Sequence, residues 1–403
     1  MKVIQRTRTV LLAVALATAL GLTGCSAGGS SPTATGTKSL TGIAQAKAIV
    51  ANAQKGLVSA KGDGDVAADD IQPFKVSDIP TPQAAPTKKY KVGIIECFPG
   101  GGCLATGTAM AAVFKKLGWT VLVSAGDETP SKYQALVQAD LAQGVDVIAT
   151  VAVAGAEISA QLAAAKAAGV VTIGVNALPS DGDGYTGYLS TQENVQKAIL
   201  GSSLIAKTDG KANVRFFGIV GTDSLGVSQA AKFTAALCPT CTTATTNYNP
   251  PDYINPVTIQ ADAGGIVAAN PDTNYFVWPT AGLPLQPVIA AINQAGRSST
   301  LKIVSSDLDA PSLALVQSGA LSDVTALPYN WVGFAGVDAV FKALAHKSIP
   351  DPGSWGFGFA LVDSAHAPSG TPSAAGIDAY IGAKFDYAKF YGKAWGVDLS
   401  GIN

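Results

Sequence analysis

From residue 90 onward, runs of apolar and β-branched residues alternate with longer stretches in which alanine and other apolar residues recur at helical spacing. The pattern predicts strands at residues 90–97, 120–124, 145–151, 170–175, 214–220, 275–278, 301–305 and 321–325. It predicts helices at residues 105–117, 131–143, 157–168, 191–206, 225–237, 285–295 and 333–346. Alternating strands and helices indicate parallel sheets, and continuous apolar strands indicate that helices cover both faces. The predicted fold class is therefore α/β, and a chain of 403 residues is long enough for two lobes.

The first 25 residues follow a different pattern. Residues 1–8 carry basic side chains and no acid, residues 9–21 are apolar or small, and a Leu-Thr-Gly-Cys sequence ends at Cys25. This order predicts a secretory signal peptide over residues 1–24, too short to remain as a membrane-spanning helix. The Leu-Thr-Gly-Cys ending resembles the bacterial lipobox, which implies cleavage before Cys25 and diacylation of its thiol. We therefore expect an extracytoplasmic protein that a lipid anchor holds on the cell membrane, at the cell surface.

Residues 25–88 are expected to form a lipid-anchored tether and an irregular arm. Residues 26–38 are rich in serine, glycine, threonine and alanine and are typical of a flexible tether. Residues 40–55 have the spacing of one amphipathic helix. Residues 62–89 contain four prolines and predict an irregular arm.

The charge balance excludes one class of partner. The chain has 27 basic and 28 acidic residues, and removal of residues 1–24 leaves 24 against 28, a net charge of −4. A weakly acidic chain has no electrostatic footprint for nucleic acid. No second segment is apolar enough to predict a membrane span after the signal peptide.

Five cysteines suit an oxidising compartment. With Cys25 assigned to the lipid, the other four form two local pairs, Cys97 with Cys103 and Cys238 with Cys241, which predict two short-range disulfides. The second pair also fits a redox Cys-x-x-Cys or half of a zinc site. A redox motif follows a strand, whereas this pair follows the predicted helix 225–237, and a zinc site needs further ligands that the two scattered histidines do not offer. We expect no metal site.

The loop after the first strand carries Gly100, Gly102 and Ala105 in the spacing of a dinucleotide fingerprint, with Asp127 about 20 residues on. Export removes the supply of such cofactors, and a bridge from Cys97 to Cys103 gives the loop another shape. We therefore expect no cofactor. Glycines at a helix N-terminus still expose backbone amides to a polar ligand group.

Catalytic motifs are not evident. The sequence has no Gly-x-Ser-x-Gly and no His-Glu-x-x-His, and the Ser-x-x-Lys spacing at residues 299–302 runs into a predicted strand. The chain is not expected to be an enzyme.

Several segments, taken in order and spacing, resemble type I periplasmic binding proteins, in particular the ribose-binding-like substrate-binding lipoproteins of actinobacterial-type ABC importers. They are residues 91–97, 112–119, 138–148, 166–176, 291–296, 303–307 and 333–339. The resemblance covers about residues 90–347. It implies two similar three-layer lobes with parallel sheets, linked by a hinge: lobe 1 at residues 89–190 plus 329–352, and lobe 2 at residues 191–328 plus 353–403. It places the hinge crossings near Ser190, near Pro328 and at residues 353–359.

The resemblance also implies a function. Such a protein captures a small-molecule solute between two closing lobes and delivers it to an ABC permease, and we expect a monomer that binds a sugar or sugar-like solute. Position by position, the family's ligand contacts correspond to Phe98, Asn176, Thr222, Asp223, Trp278, Thr280, Asp307, Tyr329 and Trp331. Several of these residues also have a structural alternative. Phe98 or Trp331 could pack within its own lobe, Asn176 could serve only a turn, and Asp307 or Asp309 could cap a helix near residue 310.

The predicted cleft is poor in arginine and rich in aromatic residues. This composition also fits an aromatic or partly apolar solute. A second alternative is a ligand sensor that feeds a membrane receptor. An adjacent permease and ATPase in the genome would favour import over sensing.

Overall fold

The computed structural model describes residues 41–177, 184–220, 223–280 and 285–402. The signal peptide, Cys25 and Thr222 lie outside these ranges. The strands are β1 (Val58–Ser59), β2 (Gln72–Pro73), β3 (Lys91–Glu96), β4 (Thr120–Ala125), β5 (Val147–Val151), β6 (Val171–Val175), β7 (Gly187–Leu189), β8 (Asn213–Ile219), β9 (Thr242–Tyr248), β10 (Tyr275–Trp278), β11 (Lys302–Ser305), β12 (Asp323–Ala326) and β13 (Ala360–Val362).

The helices lie between these strands and at both ends of the described chain. They are α1 (Gly42–Lys55), α2 (Gly101–Lys116), α3 (Pro130–Ala142), α4 (Ser159–Ala167), α5 (Glu193–Thr208), α6 (Ser224–Leu237), α7 (Pro250–Tyr253), α8 (Pro256–Ala269), α9 (Leu285–Gln294), α10 (Ala310–Ser318), α11 (Tyr329–Leu344), α12 (Ala374–Gly382) and α13 (Tyr387–Trp395). In the ranges that the structure describes, no helix is long and apolar enough to cross a bilayer.

Two separate sheets organise the chain into two lobes. The first has the order β4-β3-β5-β6-β7 and is parallel throughout. The second has the order β13-β12-β11-β10-β8-β9 and is parallel except for β13, which runs antiparallel to β12. Central strands such as β5 and β10 are buried along their whole length, which explains their continuous apolar sequence. The predicted α/β class with two lobes of largely parallel sheets is confirmed.

The chain passes three times between the sheets. It leaves the first sheet between β7 and α5, returns between β12 and α11, and leaves again between α11 and β13. Helix α11 packs on α2 and β6 and therefore belongs to the first lobe. The sequence analysis predicts hinge crossings near Ser190, near Pro328 and at residues 353–359, and the role of these segments as a hinge stays a prediction.

Both ends of the described chain pack against the lobes. Helix α1 lies on α5 and β13 of the second lobe. The last helix, α13, places Trp395 at 5.4 Å from the ring of Phe341 on α11. The sequence analysis assigns residues 353–403 to lobe 2; strand β13 does join the second sheet, but α13 packs on the first lobe.

The pattern misses several elements. Strand β9 has the sequence TTATTNY, which contains no apolar run because it is an edge strand that needs little burial. Helix α8 follows a Pro-Pro turn and buries only three residues, so its apolar face is narrow. Helix α2 begins at Gly101, four residues before the predicted start, and takes the glycines of the loop into its first turn.

Candidate functional site

A buried lysine joins the carboxyl ends of three adjacent strands of the second sheet. Lys197 lies on α5, and its side chain is fully buried. Its Nζ lies 2.8 Å from Glu193 Oε2, one helical turn earlier, and 3.1 Å from Oδ2 of Asp223, which follows β8. The carboxyl ends of parallel strands are where ligands bind in open α/β sheets, so Lys197 lies at the expected edge of the lobe.

The same ammonium group reaches the next two strands. Lys197 Nζ donates to the carbonyl oxygen of Pro279 and to Ser306 Oγ, both at 3.3 Å. Burial alone would lower the pKa of Lys197, but the carboxylates of Glu193 and Asp223 outweigh burial and raise it. The lysine therefore stays charged and holds this edge of the sheet in one arrangement.

Asp307 lies beside this cluster in a strained conformation. It follows β11, is half-buried and has a φ of 63°, in the left-handed region that few residues other than glycine, asparagine and aspartate adopt. Burial and the Glu193 carboxylate raise the pKa of Asp307 well above its ordinary value. The helix cap is Asp309, whose Oδ1 accepts from Ser312 N at 2.8 Å. Asp307 is therefore not the cap of α10.

Asn176 links the first lobe to the same cluster. It follows β6 with a φ of 55°, and its Oδ1 accepts from Thr191 Oγ1. Thr191 lies in the first hinge crossing, and its hydroxyl also lies 3.2 Å from Glu193 Oε1. The amide of Asn176 thus contacts the segment that enters the second lobe, in addition to forming a turn. Ala152, after β5, has a φ of 53° at the same edge of the first sheet.

Tyr329 begins α11 at the second crossing and is half-buried. Its ring covers Gly102 so closely that a Cβ on that glycine would lie 2.4 Å from Tyr329 Cε1. Burial and the carboxylates of Asp307 and Asp309 raise the pKa of Tyr329 well above its usual value. The phenol therefore remains a hydrogen-bond donor, near carboxylates that belong to the other lobe.

Phe98 follows β3 and keeps part of its ring exposed. A Cβ on Gly100 would lie 2.8 Å from the Phe98 ring, so this glycine allows the aromatic side chain to lie over the start of α2. An exposed aromatic face beside backbone amides is suited to a ligand with both an apolar and a polar side.

The two predicted tryptophans lie in the lobe cores. Trp278 is fully buried and stacks on Tyr253 at 5.8 Å between ring centroids. Trp331 is also fully buried and stacks on Tyr387 at 5.6 Å with an interplanar angle of 6°. Thr280 is half-buried, with its Oγ1 3.2 Å from the Tyr253 hydroxyl. In this arrangement neither indole presents a surface to a ligand.

The structure thus brings together Asn176, Asp223, Asp307 and Tyr329, and it adds three residues that the sequence analysis missed: Thr191, Glu193 and Lys197. A Glu and a Lys four residues apart are usually an exposed helical pair. The sequence holds no signal against that interpretation, because α5 also contains Asn194, Gln196 and two serines, and its burial from Asn194 to Ile205 is evident only from the structure.

The cluster holds three carboxyl groups, those of Glu193, Asp223 and Asp307, and one ammonium group. Lys197 pairs with Glu193 and Asp223, and burial raises the pKa of Asp223 and of Asp307. The two arginines that the structure describes bond elsewhere, Arg215 to Thr246 and Asn270, and Arg297 to Thr273 and Thr300. Within the described ranges, no group of three or more histidine, cysteine, aspartate or glutamate side chains is arranged to hold a metal ion.

The four described cysteines lie in two local pairs at disulfide-bonding distance. The Cα atoms of Cys97 and Cys103 are 5.8 Å apart, and those of Cys238 and Cys241 are 5.3 Å apart. The first pair holds the Phe98 loop against α2.

A model of the periplasmic binding protein domain matches residues 103–348, which is more than half of the chain. The chain belongs to the periplasmic binding protein family. A search of curated protein sequences finds no significant match.

Solved periplasmic binding proteins share the fold at low sequence identity. A glucose-galactose binding protein from Geobacillus stearothermophilus is 16% identical, with a TM-score of 0.60 over 70% of this chain and 100% of that one. An ABC transporter solute-binding protein from Agrobacterium vitis, bound with α-D-tagatopyranose, is 19% identical, with a TM-score of 0.60 over 69% and 95%. A 5-methylthioribose transporter solute-binding protein from Thermotoga lettingae is 13% identical, with a TM-score of 0.62 over 78% and 96%.

Proposed function

We propose that this periplasmic binding protein is an extracytoplasmic lipoprotein, anchored through Cys25, that captures a neutral or cationic sugar-like solute and delivers it to an ABC permease. The observation that carries the proposal is the acidic cluster around Lys197, which lies at the ligand-binding edge of the second lobe and faces Asn176 and Tyr329 from the other. Carboxylates, an amide and a phenol suit the hydroxyl groups of a sugar.

The charge of the cluster narrows the ligand class. An anionic solute such as a sugar phosphate or sugar acid would add a negative charge beside three carboxyl groups, without an arginine to bind it. A neutral sugar or polyol avoids that repulsion, and an amino sugar would gain an attraction. The sugars named for the Geobacillus, Agrobacterium and Thermotoga proteins support the hydroxylated class.

Burial of both tryptophans weakens the alternative of an aromatic ligand, since the aromatic groups left to the proposed site are Phe98 and Tyr329, which are only partly exposed. Closure around the ligand requires contacts with both lobes, because a ligand favours the closed state only by its differential affinity for it. That requirement is met by Asn176, Phe98 and Tyr329 on the first lobe and by Asp307 and Glu193 on the second.

We propose no catalytic role for these residues. We also propose that both cysteine pairs are oxidised after export.

Thermal unfolding of soluble protein that starts after Cys25 tests the function. The panel contains D-glucose, D-galactose, D-tagatose, allitol, 5-methylthioribose, D-glucosamine, D-glucuronate and glucose 6-phosphate. A ligand at 100 times its Kd adds about 2.7 kcal/mol of stability, which is a clear rise in Tm. We expect a rise with a neutral or amino sugar and none with the two anions. A rise confined to the anions, or none with any compound, would contradict the proposed ligand class.

A further inference from the structure

Residues 57–83, which we name the hinge strap, lie before the region that the family model matches. They contact the first and third crossings between the lobes, and helix α11, which follows the second crossing. At the third crossing, Val58 and Phe359 exchange backbone hydrogen bonds of 2.9 and 2.8 Å. Farther along the strap, Gly62 N donates to Gly353 O at 2.8 Å. The strap is thus paired with the segment that carries the chain back into the second lobe.

The two ends of the strap are fixed to different lobes. Before it, α1 packs on the second lobe. Toward its end, Phe74 packs edge-on against Trp331 of α11 at 5.7 Å, and the carbonyl oxygen of Thr81 accepts from Lys342 Nζ at 2.6 Å. Helix α11 belongs to the first lobe, so the strap spans the hinge.

The strap is also bonded to the first crossing. Gln192 is fully buried with a φ of 54°, and its Nε2 donates to the carbonyl oxygens of Ala60 at 2.9 Å and Gly62 at 3.1 Å. Asn194 Nδ2 donates to Gly64 O at 2.8 Å. A left-handed conformation at a fully buried residue other than glycine persists only where its surroundings hold it, and the strap supplies those surroundings.

Successive side chains of residues 191–194 contact the ligand-binding cluster and the strap in turn. Thr191 contacts Asn176 and Glu193, and Glu193 holds Lys197. Gln192 and Asn194, the residues next to them in the chain, donate hydrogen bonds to backbone carbonyl groups of the strap. The backbone that sets the position of the two cluster residues is therefore held from the other side by strap carbonyl groups.

We propose that the hinge strap positions Thr191 and Glu193 for ligand binding, through Gln192 and Asn194, so that strap attachment and ligand occupancy are coupled. Gln192 and Asn194 are positioning residues, since they act through their neighbours. The ligand part of this inference rests on the proposed function. Coupling between two sites is reciprocal. The bound ligand should therefore strengthen attachment of the strap by the same factor by which the attached strap strengthens ligand binding.

The first test needs no ligand. Gln192→Glu keeps the shape of the side chain but replaces the amide nitrogen, which donates both hydrogen bonds, with an oxygen that faces the carbonyl groups of Ala60 and Gly62. Hydrogen exchange by mass spectrometry is expected to become about tenfold faster at residues 60–64 and also at residues 191–197. The matched control is Gln317→Glu, because Gln317 also donates to two backbone carbonyls, of Pro368 and Gly370, far from the strap. Faster exchange in the strap with unchanged exchange at 191–197 would overturn the proposal.

A second variant covers the case in which Gln192→Glu fails to fold. A Cβ on Gly353 would lie 2.4 Å from the carbonyl carbon of Gly62, so Gly353→Ala displaces the strap without altering the ligand cluster. The control is Gly264→Ala, a helical glycine with open space around it. We expect faster exchange at residues 191–197 in Gly353→Ala alone, and equal exchange in the two variants would overturn the proposal.

The coupling itself is measured by trypsin cleavage after Lys61, which is exposed within the strap. D-galactose and D-tagatose are the probes, and whichever raises Tm should slow cleavage at Lys61 severalfold. A sugar that raises Tm but leaves this rate unchanged would overturn the coupling. If neither sugar raises Tm, that result weighs against the proposed function, and the exchange measurements still decide whether the strap positions residues 191–197.

Discussion

Lys197 Nζ lies 3.1 Å from Asp223 Oδ2, and the Lys197 and Asp223 side chains are 0% and 4% exposed. Lys197 lies on α5, and Asp223 lies between β8 and α6, where its Oδ1 accepts from Ile219 N of β8. The pair therefore fixes the helix to the sheet at the edge where the ligand is proposed to bind. Two opposite charges buried together are stable only while both remain.

Lys197→Met should therefore be strongly destabilising, by about 3–5 kcal/mol, because it leaves Glu193 and Asp223 without their cation. The measurement is urea unfolding at neutral pH. Lys47→Met is the matched control, since Lys47 pairs with Asp209 at 2.6 Å on the surface, where both side chains are more than half exposed. Stability should be almost unchanged in the control, and similar losses in both variants would show that burial does not set the strength of the Lys197 pair.

Substitutions at Asp307 and Asp309 should have different effects, the first on ligand affinity and the second on stability. Asp307→Asn preserves the left-handed conformation and removes a half-buried carboxyl, so ligand affinity should fall about tenfold or more while Tm is kept. Asp309→Ala removes the cap of α10 and should lower stability by about 1 kcal/mol with affinity unchanged. Calorimetric titration with the best sugar of the panel, together with thermal unfolding, measures both quantities. If Asp309→Ala lowered the affinity and Asp307→Asn did not, Asp307 would not be a ligand contact.

Gly102→Ala should weaken ligand binding through Tyr329. The added methyl group would lie 2.4 Å from the tyrosine ring and must displace it from its place over α2. We expect lower affinity together with a small loss of stability. Gly265→Ala is the control, because this helical glycine has open space around its Cβ position and alanine favours the helix. Unchanged affinity in Gly102→Ala would exclude Tyr329 from the ligand contacts.

Glu96 should make stability depend on pH. It is 2% exposed, its Oε1 has no hydrogen-bond partner among the described residues, and burial raises its pKa from 4.5 to about 7. Between pH 4.5 and 7 the folded chain therefore keeps a proton on Glu96 that the unfolded chain releases. The contribution of Glu96 to stability is fully present below pH 4.5 and is lost as pH rises toward 7.

Glu96→Gln should remove the part of the pH dependence that Glu96 contributes. Its Tm should equal that of the parent near pH 4.5 and exceed it at pH 8, in thermal unfolding across that range. Asp272→Asn, at an exposed position, serves as the control and should follow the parent. A parent curve that rises between pH 4.5 and 7 and that Glu96→Gln leaves unaltered would contradict the assignment.

The hydrophobic pattern predicts the strands of the sheet interiors well, because burial on both faces requires continuous apolar sequence. It locates β10 at its observed bounds and places β3 within a residue at each end. It misses β9 because an edge strand of threonines satisfies its backbone without apolar side chains. Local pattern carries no information on such pairing, which depends on the neighbouring strand.

The residues of the candidate site are harder to predict from the sequence, again because contacts between distant segments decide them. Asp223 and Asp307 follow recognisable strands, so the rule that ligands bind at the carboxyl ends finds them. Lys197 lies inside a helix, and only the fold reveals that its ammonium group reaches three strand ends. The two tryptophans were expected at the ligand because they correspond to ligand positions of the family that the sequence resembles. The sequence does not show whether an aromatic residue at such a position packs within its lobe or faces a ligand, and their burial is known only from the structure.

Helix α1 packs on α5 and β13, so it moves with the second lobe when the lobes close. A segment outside the domain that the family model matches is thus carried along as part of one lobe.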